Sequence, residues 1–298
     1  MIKAVIIGYG NIGKAVFDSL SSSKDFEVAG VASFPDTPRD AVELKGIEVV
    51  EKISDLKSKA DVAIVCVPSK DMPNVVKECL KKGMNTVDAF DVHSDIVNTR
   101  RDLDAAAKAA GKASVLAAGW DPGSDSIVRA LMKACAPKGI SYTNFGPGMS
   151  MGHSVAARAV KGVKNALSMT IPLGTSIHRR VVYVEIEKGA DFEEVSKNIK
   201  KDKYFSHDET HVIQCDNVHD RVDMGHAVNM VRKGVSGKAH NQLFEFNMKI
   251  NNPALTGQLL VAVARAAVKQ KPGCYTMIEL PVIDMLPGDK EENIAKLV

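Results

Sequence analysis

Lys3 to Ile7 is a short run of β-branched and apolar residues that stops at Gly8, and apolar positions then recur at helical spacing from Ile12 to Leu20. The pattern predicts a strand, a glycine loop and a helix. A second β-rich run covers Phe26 to Ala32, and further apolar runs follow at Val62 to Val67, Thr86 to Val87 and Ser114 to Ala118. Helical patterns at Asn74 to Lys82 and Val97 to Ala110 separate them. Strands that alternate with helices in this way predict an α/β fold built on a doubly wound parallel sheet with right-handed crossovers.

Beyond residue 118 the rhythm changes. Ser126 to Cys135 has the spacing of an amphipathic helix, and strand-like runs follow at Val181 to Ile186, His211 to Cys215 and Leu243 to Ile250. In the last of these, Phe244, Phe246, Met248 and Ile250 alternate with Glu245, Asn247 and Lys249, so one face is buried and the other is polar or paired. Asn252-Pro253 supplies a cap and a first-turn proline for a helix from Ala254 to Gln270, which Pro272-Gly273 stops. The expected organisation is a first domain over 1–118, with 272–298 packing back on it, and a second α+β domain with an open mixed sheet over 119–271.

Composition narrows the function classes. Of the 298 residues 45% are hydrophobic, enough for one large core or two modest ones. The net charge is only +3, with Lys and Arg scattered among Asp and Glu, which argues against a nucleic-acid partner and for a small charged metabolite. No run approaches the roughly 18 apolar residues of a membrane span, and Met1-Ile2-Lys3 leads straight into a strand, so a cytoplasmic protein without membrane association is expected. The five cysteines lie far apart, mostly in apolar sequence, and read as buried thiols. No Cys-x-x-Cys or His-Glu-x-x-His spacing occurs, and no metal is expected.

Gly8-Tyr9-Gly10-Asn11-Ile12-Gly13 follows a strand and opens a helix, the context that makes this spacing a dinucleotide site of the Rossmann type. Gly8 permits the turn, Gly10 lets the backbone approach a pyrophosphate, and Gly13 allows close helix packing. An NAD site would place an acid about twenty residues on, where this chain has Ala32-Ser33-Phe34-Pro35. That leaves room for the 2′-phosphate of NADP, with Ser33 as a donor; Arg39 is either its countercharge or part of a solvated loop. Cys66-Val67-Pro68-Ser69 ends a further strand on the same carboxyl edge, where a ligand binds in such sheets.

The densest chemistry lies in Ala118-Gly119-Trp120-Asp121-Pro122-Gly123-Ser124-Asp125 and in Asn144 to His153, which together hold the single Trp, two carboxylates, a Phe, a His and five glycines. Buried polar groups cost free energy unless paired, and glycines lose entropy on folding, so such a cluster points to a ligand. Asp91 and Asp121 either cap the helices that follow them or hold a substrate ammonium and accept its proton. Gly148 to Gly152 is either a plain connection or a nest of backbone N–H groups for a carboxylate. Thr170, Arg180, His226 and Asn252 carry no signal singly.

These stretches, with Asp88-Ala89-Phe90-Asp91-Val92-His93, Asn251-Asn252-Pro253-Ala254-Leu255-Thr256 and Gln270-Lys271-Pro272-Gly273-Cys274-Tyr275-Thr276, resemble the meso-diaminopimelate dehydrogenases over essentially the whole chain, and the short second domain resembles the compact form of that family. The resemblance implies a homodimer that uses NADP to oxidise the D-centre of meso-2,6-diaminopimelate to L-2-amino-6-oxopimelate and ammonia, reversibly. It implies that Asp91 and Asp121 surround the D-centre amine, that Trp120 and Phe145 wall it, and that Met151 and Gly152 bind the adjacent carboxylate through backbone N–H groups. Thr170, Arg180, His226 and Asn252 then hold the distal L-centre. The family commonly carries a basic pair where this chain has Ser33-Phe34, so NAD is possible beside NADP. Two alternatives stand: a D-amino-acid dehydrogenase of relaxed specificity, and a non-catalytic dinucleotide sensor.

Overall fold

The first strand, β1 (Ile2–Ile7), buries every residue from Ala4 to Ile7, as a central strand covered on both faces must. The computed structural model describes residues 1–33, 41–222 and 225–298; Phe34 and Arg39 lie outside them. In chain order, β1 is followed by α1 (Asn11–Ser21), β2 (Phe26–Ala32), β3 (Val49–Val50), β4 (Val62–Val65), α2 (Met72–Lys81), β5 (Asn85–Asp88), α3 (Ile96–Ala110), β6 (Ala113–Leu116) and α4 (Ser124–Cys135). The strands β2, β1, β4, β5 and β6 pair in parallel, so their carboxyl ends share one edge.

A second body contains β7 (Lys138–Phe145), β8 (Gly148–Ser150), α5 (Met151–Arg158), β9 (Val163–Gly174), β10 (Ile177–Ile186), α6 (Phe192–Lys201), β11 (Glu209–Gln214), β12 (Gly225–Ser236) and β13 (His240–Asn251). Among the described residues its strands form two sheets, β11-β10-β9-β8 and β13-β12-β7. The first is mixed, because β11 alone runs parallel to its neighbour β10. The second is antiparallel throughout. The mixed sheet expected from the sequence is present, and a second, antiparallel sheet accompanies it. The strands β7, β8, β9 and β12 escaped notice because glycines and polar residues interrupt their alternation.

The chain then returns to the first body through α7 (Asn252–Ala267), β14 (Gly273–Thr276) and α8 (Lys290–Leu297). Among the described residues seven parallel strands now run in the order β14-β6-β5-β4-β1-β2-β3. The compact units are 1–130 with 253–298, and 131–252. The boundaries read from sequence, 118/119 and 271/272, differ because α7 is apolar on most of its circumference. Its Leu260, Val261, Val263, Ala264 and Ala267 share a core with Ala4, Ile6, Val16 and Leu20. Cys79 and Cys274 are buried, whereas Cys135 at the end of α4 is exposed, against the expectation of uniformly buried thiols.

One buried cation fastens α7 and the tail to the sheet. Arg265, 5% exposed, reaches Asp25 with Nε at 2.5 Å and Nη2 at 3.0 Å, donates from Nη1 to the Met285 carbonyl at 2.9 Å, and lies over the Phe26 ring. Hydrogen bonding from Arg265 holds the Asp25 carboxyl below its ordinary range. The stabilisation is therefore complete above that range and is lost as pH falls through the depressed value. Asp25→Ala, which strands a buried guanidinium, should cost roughly 3 kcal/mol, more than Arg265→Met, which leaves only a half-exposed carboxylate. Urea titrations of both variants check the order, and equal losses would contradict it.

Candidate active site

The β1–α1 loop has the geometry of a phosphate cradle. A Cβ at Gly13 would stand 2.1 Å from the Gly8 carbonyl oxygen, whereas one at Gly10 would meet nothing within 4 Å. Gly8, at φ +93°, is pressed against the carbonyl of Cys66 and the side chain of Val67. Gly10 caps α1 without a side-chain hydrogen bond, and the first turn carries no acid, which suits a helix N-terminus to an anion. Asn11 is exposed and Ile12 half-buried beside it. Tyr9, by contrast, turns its ring into the core against Phe17 and donates to Glu43 at 3.3 Å. Burial pushes its hydroxyl up to about 12, so Tyr9 offers the loop its backbone and not its side chain. Ser33 is buried at the end of β2, its N–H bonded to the Val50 carbonyl.

The acidic residues gather at the carboxyl ends of β5 and β6. Asp88 is fully buried, and its Oδ1 accepts from the N–H groups of Phe90 at 3.0 Å and Ala117 at 3.1 Å while its carbonyl accepts from Ala118 at 2.7 Å. It thus ties the loop bearing Asp91 to the loop bearing Trp120 and Asp121. The tie also holds Ala117 at φ +59°, a left-handed conformation that costs a non-glycine residue about 1 kcal/mol or more. Asp88 Oδ2 is buried without a hydrogen-bond partner, and burial raises the carboxyl to about 7. Asp91 is exposed and does not serve as a cap: Asp95 stands at the start of α3, and Asp91 Oδ1 accepts a 2.6 Å bond from Ser69.

Trp120 is 6% exposed, and Asp121 follows it with a side chain 14% exposed. Burial raises the Asp121 carboxyl, opposed by Asp125 and Arg129 and reinforced by the charge of Asp91. Arg129 Nη2 lies 3.5 Å from Asp121 Oδ1, and His93 Nε2 lies 3.9 Å from Asp121 Oδ2. The first unit therefore brings Asp91, Trp120 and Asp121 together and puts Ser69 behind Asp91. Pro68 is exposed next to Ser69. Sequence reading gave no functional role to Asp88, Asp125 or Arg129; the signal available was the i,i+4 spacing of Asp125 and Arg129 in the helix that follows Asp121.

In the second unit, Gly146 and Gly148 let the chain pass closely between two other strands. A Cβ at Gly146 would stand 2.3 Å from the Thr170 carbonyl oxygen, and one at Gly148 would stand 2.6 Å from the Gly225 oxygen and the His226 Cα. Phe145, Thr170 and His226 are thereby drawn together. Arg180 stands opposite Thr170 in the β9–β10 register, donates to its hydroxyl, and pairs with Asp208 at 2.6 Å. The Phe145 N–H donates to His178 Nε2 at 2.9 Å, and the two rings meet at 5.7 Å, tilted by 35°. Met151 and Gly152 open α5, where first-turn N–H groups lack helical partners. Ser150, at its cap, instead meets His153 Nδ1 at 2.8 Å. Asn252 is half-buried at the start of α7.

Comparison with known proteins shows which family and fold the chain resembles. The family described as the diaminopimelic acid dehydrogenase C-terminal domain matches residues 119–178, and a CoA binding domain family matches residues 1–91. The meso-diaminopimelate D-dehydrogenase of Bacteroides fragilis is 59% identical over 100% of this chain and 99% of its own. Among solved structures, the Corynebacterium glutamicum diaminopimelate dehydrogenase in complex with diaminopimelate superposes with a TM-score of 0.88 at 29% identity, covering 100% and 99% of the two chains. An engineered D-amino acid dehydrogenase bound to NADP+ matches with the same TM-score at 27% identity over the same shares.

Two outcomes follow from the loop and from Asp88. Gly10→Ala should leave folding stability within about 0.5 kcal/mol of wild type while weakening dinucleotide binding, whereas Gly13→Ala should cost several kcal/mol through its backbone clash. Thermal melts paired with dinucleotide titrations separate the two effects. Because the Asp88 carboxyl is raised, its stabilisation is full below the ordinary carboxylate range and is lost as pH rises toward about 7. Asp88→Asn keeps the Oδ1 acceptor and does not titrate. Its stability relative to wild type should therefore climb across that window, and a pH-independent difference in urea midpoints would refute the assignment.

Proposed function

The chain belongs to the meso-diaminopimelate D-dehydrogenase family, and we propose that it catalyses the NADP-dependent, reversible oxidative deamination of the D-centre of meso-2,6-diaminopimelate, giving L-2-amino-6-oxopimelate and ammonia. The observation that carries this reading is the placement of Asp91 and Asp121 beside Trp120, on the sheet edge that also carries the open glycine loop. The loop fits a dinucleotide: space at Gly10, an uncapped helix N-terminus, and no acid in the described end of β2. When bound, NADP supplies the acceptor for hydride at its nicotinamide ring.

The residues of the chain supply proton handling and orientation. Hydride does not leave a carbon bearing an ammonium group, so Asp91 or Asp121 first takes a proton from the D-centre amine, directly or through water. The same carboxylates return protons as water adds to the imine and ammonia departs. Met151 and Gly152 bind the neighbouring carboxylate through their N–H groups. Arg180, oriented by Asp208 and Thr170, takes the carboxylate of the L-centre, and Thr170, His226 and Asn252 complete that end. In this reading the far end of the substrate decides which hydrogen faces the cofactor. The enzyme works in the cytoplasm as a homodimer, and the outer face of the β13-β12-β7 sheet, with Ile140 and Leu243 about 60% exposed, offers it a surface.

The test follows nicotinamide absorbance with meso-diaminopimelate, the LL isomer and simple D-amino acids, each with NADP and with NAD. Reduction with the meso isomer and NADP, and none with the LL isomer, is expected. Arg180→Leu should raise KM for the meso isomer by about a hundredfold, and Asp121→Asn should lower kcat by about a hundredfold or more. Simple D-amino acids turning over as fast as the meso isomer would favour the relaxed-specificity reading, which the likeness to the engineered D-amino acid dehydrogenase supports.

A further inference from the structure

Behind Asp121 lies a second carboxyl group that the reaction as described does not use. The side chain of Asp125, in the first turn of α4, is 0% exposed. Its backbone N–H is bonded to the Trp120 carbonyl at 3.1 Å, which fixes it beneath the Trp120-Asp121 turn. Arg129 Nη2 approaches Asp125 Oδ2 at 2.7 Å and Asp121 Oδ1 at 3.5 Å. Neither oxygen gains a well-formed hydrogen bond from it, and both are buried. The two carboxyl groups lie within hydrogen-bonding reach of each other. Ser126 Oγ reaches Asp125 Oδ1 at 3.3 Å, His93 Nε2 faces Asp121 Oδ2 at 3.9 Å, and Asp91 faces Asp121 from the other loop.

Charge counting decides what this cluster holds. Two ionised carboxylates against one guanidinium would leave a net negative charge out of water, which like-charge repulsion and desolvation both oppose. One shared proton makes the cluster neutral and turns one carboxyl into a donor for the other. Burial is complete at Asp125 and incomplete at Asp121, so the neutral form belongs at Asp125. Burial and the neighbouring Asp121 charge both raise the Asp125 carboxyl, in the same direction.

We propose that Asp125 is a positioning residue for Asp121: it keeps the proton that the pair shares, donates it as a hydrogen bond, and leaves Asp121 as the ionised member turned toward the D-centre amine. The inference rests on the reading of Asp121 as an acceptor of the substrate proton. In that step the N–H bond of the ammonium breaks, its proton forms an O–H bond on Asp121, and the nitrogen keeps the electron pair. Asp125 retains its own proton throughout. At alkaline pH the pair loses the shared proton, and the substrate then meets a doubly ionised cluster.

The experiment compares wild type with Asp125→Asn, which keeps a donor but cannot ionise, and with Asp125→Leu, of similar size and without a donor. The pH dependence of kcat and kcat/KM with meso-diaminopimelate and NADP is measured for all three, together with infrared titration of the protonated carboxyl band. Asp125→Asn should stay within about threefold of wild-type kcat near neutral pH and lose the alkaline inflection of the profile. In Asp125→Leu the acidic limb should move up by about one pH unit, so that kcat drops by up to about tenfold on that limb and recovers at higher pH. Beyond the Asp88 carboxyl that all three proteins share, the wild type should show a second carboxyl band that persists above the ordinary carboxylate range and is absent from both variants. Profiles that superimpose on wild type, a uniform loss at every pH, or survival of that second band in Asp125→Asn would each overturn the proposal. A wild type inert toward diaminopimelate would instead remove the reading of function, and the infrared titration would still decide the pairing.

Discussion

Asp88 ties two loops together, and each proposed reacting group of the first unit hangs from that tie. Its Oδ1 receives the N–H groups of Phe90 and Ala117, and its carbonyl receives that of Ala118, so the turns leading to Asp91 and Trp120 leave the sheet at fixed angles. The tie is made by a carboxyl deep in the core, which would ordinarily demand a counterion. Here burial itself answers the demand by favouring the neutral form up to about pH 7. The guanidinium of Arg129 is then left to the carboxyl groups that lie nearer to water, Asp121 and Asp125.

The same economy separates what the sequence made legible from what it hid. Period and glycine spacing were enough for β1, α1 and the cradle between them, because a strand, a turn and a helix start are each dictated within a few residues. They were enough for the proximity of Asp91 and Asp121 only through resemblance, since β5 and β6 are short and the two aspartates stand 30 positions apart. The roles of Asp125 and Asp88 were hidden for a further reason. A buried carboxyl has the same letter as a solvated one, and its meaning comes from depth, which a linear pattern does not carry.

Local pattern also misplaced the boundary between the units. Read in sequence, the helix from Ala254 continues the second half of the chain. Its apolar residues nevertheless match the face of β1 and α1, where Leu260 and Val261 join Ile6 and Val16 in one core. Long-range burial of that area outweighs continuity along the chain, because about 25 cal/mol is gained for each square ångström of apolar surface removed from water wherever the partner comes from. The split sheet of the second unit has a similar origin. Gly146 and Gly148 let the chain turn from β7 into β8, from one sheet to the other, and a linear reading sees there only a glycine-rich connection.

Arg180, which we propose takes the carboxylate of the L-centre, would set specificity without a rigid pocket wall. A guanidinium has five N–H donors in one plane. Asp208 engages Nε and Thr170 engages Nη1, so two protein acceptors hold the plane from the side of β9 and β11 and leave further donors for a ligand carboxylate. The Asp208 charge also keeps the side chain from being a bare cation, which lowers the cost of holding it half-buried. A substrate carboxylate that docks there completes a cluster already part-neutralised, so it gains direction more than charge attraction. That favours recognition by geometry, in which a distal amino-acid centre of the wrong hand fails because its carboxylate cannot lie in the plane of the fork, and an uncharged substitute fails less completely than charge alone would require.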